Sequence, residues 1–489
     1  MCSLDWLNSG FHLQSVLKKS RRPATFTGST INSATLSSFA GVFNIKVFRR
    51  IIILKLYRIL FSLFFLSLVI FGLYCTTGNT KGIPTGNVIF IHPDGASVSH
   101  WGAMRLIEQG PDGMTNWDKM DKMGIYRSHI TNSVNASSNA GATVHAFGVK
   151  VGYSYYGIHP DKPFKSLSGK EYSIMIEAKK AGMSTALINT GHICEPGTGV
   201  FAANSRSRIL TDTITVQILN SDIDILFSGG EQLLLPEGVI GFHGKPGIRQ
   251  DSLNLIEMAK TLGYQIIYNR EQLLALPRTT DKVLGIFAAE HTFNAAAEED
   301  LAEKDLPLYN KNAPSVDEMF TKALEILEYK DKQFFIVMEV EGSDNFSNAN
   351  NAEGAIAALA RADKAIGTCM ELIEKKPETM LIVASDSNAG GLQVKNVRNH
   401  NKNSPVDAVD SNGAPIDGRN GPATPPFIAK PDQFGNASYF SVSWASYSDV
   451  PFGIVAKAHG LNADLMPNNV DNTDIYRLMY ATLFGTYLE

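Results

Sequence analysis

The sequence predicts an α/β fold: a mainly parallel central sheet with helices on both faces. Short apolar runs recur along the chain, helical stretches with an apolar face lie between them, and several runs end directly in turn residues or acids. The runs fall at 88–91, 185–188, 224–227, 264–267, 334–340, 380–384 and 452–456. Each reads as a continuous apolar segment, as expected for strands covered on both faces. Between 352 and 374, Ile356, Leu359, Ile366, Met370 and Ile373 repeat at helical spacing, and Ile475, Leu478, Met479 and Leu483 do so in a closing helix around 474–483. The polar stretch 388–436, rich in Asn, Asp, Pro and Gly, interrupts the alternation and predicts a lid or crown-like insertion.

Composition narrows the class of protein. With 44% hydrophobic and 19% charged residues over 489 positions, the chain is neither a disordered polymer nor a multi-span membrane protein. A net charge of -4 argues against nucleic-acid partners. Of the four cysteines, only Cys194 and Cys369 lie in the expected folded region, which allows two buried free thiols or at most one bridge. Residues 1–45 form a polar N-terminal extension. Residues 46–86 hold a basic flank, a hydrophobic signal or anchor segment at 59–75, and a linker. Positive charge before that run predicts that the domain at 87–489 is exported, periplasmic or extracellular, touching the membrane only through an uncleaved N-terminal segment.

The chemistry is expected at strand tips, where open α/β sheets place their sites. Asp94, Glu195, Glu341 and Asp386 each follow an apolar run, and carboxylates converging from distant parts of a chain suit hard divalent cations. Small residues at 137–143 predict a helix beginning at Ser, with a hydroxyl in the positive N-terminal field.

The order of these segments resembles the alkaline phosphatase family. The residues that carry it are Asp94-Gly95, Ser137 to Thr143 leading to Gly148-Val149-Lys150, Val340-Glu341-Gly342-Ser343, Ala384-Ser385-Asp386 and Asp449-Val450-Pro451. The resemblance implies a metal-dependent phosphomonoester hydrolase acting through a phosphoserine and releasing inorganic phosphate, with a homodimer as a further possibility. It places the nucleophile on Ser138 and the phosphate-binding guanidinium on Arg208, with Arg206 as the other candidate. Asp94 falls on the bridging ligand, Asp386 on a ligand of the second metal, and Glu341 and Glu195 on the third, magnesium-type site. The departures are local. Ungapped matching puts Phe346 and Asn350 at two ligand positions, Ser387 where a His is expected, Ser137 where an Asp is expected, and Trp444 to Ser446 in place of another His. Loss of these imidazoles allows an inactive exported relic that binds phosphate or a partner. Survival of the carboxylates, joined by the oxygen donors Asp344, Asn345, Asn348 and Asn350, favours re-ligation around Mg, Ca or Mn. Zinc is the alternative if His100, His192 or His459 has moved in.

Overall fold

In the computed structural model, residues 50, 52–67, 82–159, 164–398 and 402–489 are described. The chain divides into two compact units, Met1–Thr80 and Lys81–Glu489. The first is helical over 52–67, with Leu56, Phe61, Leu63 and Phe65 exposed. The extension at 1–45 and the part of the apolar run beyond Ser67 lie outside the described residues. Among the described residues no helix is long and apolar enough to cross a membrane.

The second unit is built on strands β1 Asn87–His92, β2 Lys122–Arg127, β3 Ser184–His192, β4 Ile225–Gly229, β5 Gln265–Ile267, β6 Val283–Ile286, β7 Phe334–Glu339 and β8 Thr379–Val383. They are followed by β9 Gln393–Asn396, β10 Ile416–Gly418, β11 Gly421–Pro422, β12 Phe427–Ile428, β13 Tyr439–Ser443, β14 Val455–Gly460 and β15 Asn469–Asp471. Ten of them form one sheet in the order β15-β2-β14-β8-β1-β7-β3-β4-β6-β5. Only β14 runs against its neighbours, so the sheet is mainly parallel. Alternate residues of β1 enter two separate cores. Val88 and Phe90 join Ala142, Ala146 and Tyr476 on one face, whereas Ile89 and Ile91 join Leu359 and Ile366 on the other. Apolar side chains on both faces are what give these strands their unbroken hydrophobic appearance in sequence.

The long helix is Ala352–Lys375, capped by Asn351 accepting from the Gly354 N–H, and the closing helix is Asn472–Phe484. The run expected at 452–456 becomes a strand only at Val455. Phe452 and Gly453 have φ of 71° and 74°, and two successive left-handed residues make a turn that cannot pair in a ladder. Cys194 and Cys369 are both buried free thiols.

Strands β9 to β13 form a separate antiparallel sheet between residues 393 and 443. It packs on the helix Val98–Glu108, and the Lys430 N–H donates to Leu106 O at 3.0 Å. Behind it, the buried Trp444 indole donates to Asp417 at 2.6 Å. Asn388 and Val450 exchange backbone hydrogen bonds of 3.1 and 2.9 Å, which ties the segment after β8 to the segment carrying Asp449.

Candidate metal centre and nucleophile

Four adjacent parallel strands, β8, β1, β7 and β3, deliver Asp386, Asp94, Glu341 and Glu195 just beyond their C-terminal ends. The sheet order therefore brings together four acids that are up to 292 residues apart in sequence. Both carboxylate oxygens of Asp94 and of Asp386, and Oε2 of Glu341, are buried without a hydrogen-bond partner among the described residues. Leaving so many acceptors unpaired is costly unless a cation or proton compensates them.

Asp344 opens the short helix Gly342–Asn348 and stands against Gly95, where a Cβ would lie 2.7 Å from its Oδ1. Asn348 donates at 3.0 Å to both Asp344 oxygens and at 3.0 Å to Asp449 Oδ1. Its own carbonyl oxygen is taken by the Gly390 N–H at 2.9 Å, so Asn348 serves as a clamp between two carboxylates and not as an oxygen donor to a cation. Asn350 does not join the cluster. It ends the short helix with φ 55°, and its carboxamide donates to Ser446 O at 2.9 Å and Ser347 O at 3.2 Å. Phe346 is buried against Phe293, Tyr309 and Gly354. The ungapped match had set these two residues at ligand positions, whereas the helix turn brings Asp344 to the cluster with Asn348 bracing it against Asp449.

Glu195 is held from two sides, by Arg208 Nη2 at 2.5 Å and His192 Nε2 at 2.9 Å. Burial opposes its ionisation, but His192, Arg208 and His291 overcome that cost and hold its pKa down at about 2. Arg208 feels the same balance in reverse. Burial works against its charge, and Glu195, Glu341, Asp94 and Glu339 raise its pKa above the usual guanidinium value. Its side chain stays 41% exposed, so a ligand has access to it. Arg206 is exposed and makes no ion pair among the described residues.

The helix Ser138–Phe147 approaches β8 from its N-terminus. Ser137 is its cap, accepting from the Ala140 N–H at 3.3 Å and donating to Tyr153 O. Both functions of that hydroxyl are thus used. The next residue, Ser138, is partly exposed, and its hydroxyl makes no hydrogen bond among the described residues. Close approach depends on Gly141. A Cβ there would lie 2.4 Å from Asp386 Cβ and 2.6 Å from Asp386 Oδ2. Gly141→Ala is expected to displace Asp386 and to destabilise the fold by about 1–3 kcal/mol, as overpacking does. Denaturant midpoints, read beside bound-metal stoichiometry, check this; an unchanged midpoint with full metal content contradicts it.

Two buried residues escaped the sequence analysis. His92 and Glu339 are paired across β1 and β7, and together with Asp94 they place ligand atoms within 4.8 Å of one another. The signal available in sequence was proximity: His92 and Glu339 are the last residues of β1 and β7, each two positions before a strand-tip acid, Asp94 and Glu341. Three of the other histidines are engaged elsewhere. His100 closes a capping box with Ser97 and contacts Ser347 at 3.0 Å, and burial pulls its pKa down to about 3. His459 faces Asp121 at 2.7 Å, and His145 meets the Tyr126 hydroxyl at 2.7 Å.

Seven carboxylates, those of Asp94, Glu195, Glu339, Glu341, Asp344, Asp386 and Asp449, thus share one region with Arg208. Burial first, and then mutual repulsion, pushes Glu339, Glu341, Asp344 and Asp386 well above the ordinary carboxylate range. Asp449 is raised for the same reasons.

Strand-tip carboxylates gathered beside the first turns of the helix Ser138–Phe147 belong to an α/β architecture whose acids could hold a cation. Residues 85–451 match the alkaline phosphatase family model, and the chain belongs to that family. Alkaline phosphatase of Escherichia coli is 24% identical over 344 residues, covering 62% of this chain and 70% of the relative. Membrane-bound alkaline phosphatase of Bombyx mori is 21% identical over 417 residues, with 76% and 74% covered. The human tissue-nonspecific isozyme is 25% identical over 337 residues, covering 61% of this chain and 62% of its own length. Among solved structures, alkaline phosphatase from the Antarctic bacterium TAB5 superposes with a TM-score of 0.61 at 18% identity, covering 82% of this chain and 99% of that one. The enzyme from Thermus thermophilus superposes with a TM-score of 0.62 at 18% identity, covering 84% and 95%. The fold is alkaline phosphatase-like.

Proposed function

We propose that this chain is a metal-dependent phosphomonoester hydrolase that works through a phosphoserine on Ser138 and releases inorganic phosphate. The observation that carries this reading is the pair Asp94 and Asp386, four buried carboxylate oxygens without partners, set against the first turn of the Ser138 helix. These oxygens fit a hard divalent cation, with Glu341 and Asp344 as the remaining acidic ligands and Glu195 holding the guanidinium beside them. When bound, the cation supplies Lewis-acid stabilisation of the phosphate charge. A solved variant of the TAB5 enzyme holds Mg in its M3 site, which supports magnesium among the candidates.

Ser138 Oγ attacks phosphorus in line, the P–O bond to the alcohol breaks, and the departing oxygen takes up a proton. Arg208 keeps one edge on Glu195 and turns its other N–H donors to two nonbridging phosphate oxygens, countering charge in the transition state. Water then attacks the phosphoserine, phosphate leaves, and the Ser138 hydroxyl is restored. The sheet at 393–443 limits access for the alcohol portion of the substrate. The basic flank and apolar run before residue 82 support export of this domain, as the sequence predicts.

Metal-stripped protein titrated separately with Mg, Ca, Mn and Zn, with release of phosphate from an aryl phosphate followed throughout, tests the reading. Hydrolysis restored by Mg, Ca or Mn supports oxygen-based ligation, and restoration by zinc alone rejects it. A folded protein that no cation activates is the phosphate-binding or partner-binding relic.

A further inference from the structure

We infer that His92, Asp94 and Glu339 form a distinct divalent transition-metal site one layer beneath the carboxylate cleft. In the parallel ladder His92 stands directly opposite Glu339, so the two side chains leave the same sheet face. That face is otherwise lined by Val88, Phe90, Phe335 and Val337. An imidazole and a carboxylate in such an apolar layer, both 0% exposed, need a partner that compensates them.

Three observations say what the partner is. His92 Nδ1 lies 2.8 Å from Ala384 O, a pure acceptor, so Nδ1 carries the proton and the Nε2 lone pair points inward. Nε2 has no hydrogen-bond partner among the described residues and stands 3.7 Å from Asp94 Oδ1. That gap is too long for a hydrogen bond, but two ligands each about 2.1 Å from a shared tetrahedral ion lie about 3.4 Å apart. Glu339 accepts from the Gly197 N–H at 2.9 Å, from Thr198 Oγ1 at 3.3 Å and from the Asn189 amide, and the Glu341 carboxyl lies beside it. Outer hydrogen bonds that fix both the tautomer of a histidine and the angle of a carboxylate are the usual support of a metal site. The packing leaves no slack, since a Cβ on Gly197 would sit 2.1 Å from Glu339 Oε1 and 2.7 Å from His92 Cδ2.

One neutral imidazole and two carboxylates suit Mn or Zn better than Mg or Ca, which take oxygen ligands. The site shares Asp94 with the proposed hydrolytic cleft and rests on that reading only for the cleft's need of cations. Its test requires no turnover. Metal-stripped full-length protein is loaded with less than one equivalent of Mn, and pulsed electron paramagnetic resonance records whether a directly bound nitrogen couples to the ion. Coupling is expected in the wild-type protein and in His192→Gln, and it disappears in His92→Gln together with a tenfold or greater weakening of Mn binding. Zn competing Mn away without loss of fold distinguishes the two ions. If His92→Gln does not fold, the wild-type and His192→Gln spectra decide: coupling kept in both supports the site. Absence of nitrogen coupling in the wild type, its persistence in His92→Gln, or its loss in His192→Gln overturns the site. Failure of the hydrolase reading would show separately, as absent phosphate release from a protein whose nitrogen coupling is intact.

Discussion

Ser138→Ala is expected to lower kcat toward a simple aryl phosphate by at least about 10^3-fold, while metal content and fold stay unchanged. The expectation rests on how the two adjacent hydroxyls are used. Ser137 spends its oxygen on the Ala140 N–H and its proton on Tyr153 O, so it holds the helix in place. Ser138 is the first residue of that helix, its hydroxyl without a hydrogen bond among the described residues, at the helix end that favours negative charge. Removing Ser137 should therefore cost about 1 kcal/mol of stability, the usual value of a cap, without abolishing covalent chemistry. Acid-quenched protein incubated with labelled substrate should retain label in the wild type and in Ser137→Ala, and none in Ser138→Ala. Turnover by Ser138→Ala within tenfold of wild type would sink the assignment, and so would label that survives the substitution.

Much of this site was legible because its residues obey local rules. Asp94, Glu341 and Asp386 stand out as acids close after apolar runs and Glu195 as one a short turn further on, and the structure sets all four just beyond the ends of neighbouring strands. The long helix was visible through its apolar spacing, and it runs Ala352–Lys375. The two strands at the β15 end of the sheet were harder to see. β2 has every second residue buried over only part of its length and contains a glycine, and β15 has three residues, so neither forms an apolar run. Register is a property of two strands, and no single stretch of sequence displays the pairing of His92 with Glu339. Linear matching failed after Glu341 because the helix Gly342–Asn348 decides which side chains face Asp449. Asn350 looked like an oxygen donor, but its left-handed backbone marks it as the residue that ends a helix turn.

The last expectation is that divalent cations reverse the pH dependence of this domain's stability. In the metal-stripped protein, burial and mutual repulsion raise Glu339, Glu341, Asp344 and Asp386 well above their unfolded values. A raised folded-state pKa means that the native protein binds more protons than the unfolded chain. That stability is fully present below the ordinary carboxylate range and is lost as pH rises through the raised values. The urea midpoint of chelated protein should therefore fall as pH rises from the ordinary carboxylate range through the raised values. A cation needs the same carboxylates deprotonated, so its stabilisation grows over that interval. At about 1,000 times its Kd the ion contributes about 4 kcal/mol. Asp386→Asn separates repulsion from ligation. With one charge removed, the chelated variant should be more stable than chelated wild type at the alkaline end, yet gain less from the cation. Identical midpoints with and without metal at the upper pH, or a chelated midpoint that climbs with pH, would show that protons and cations do not compete for these carboxylates.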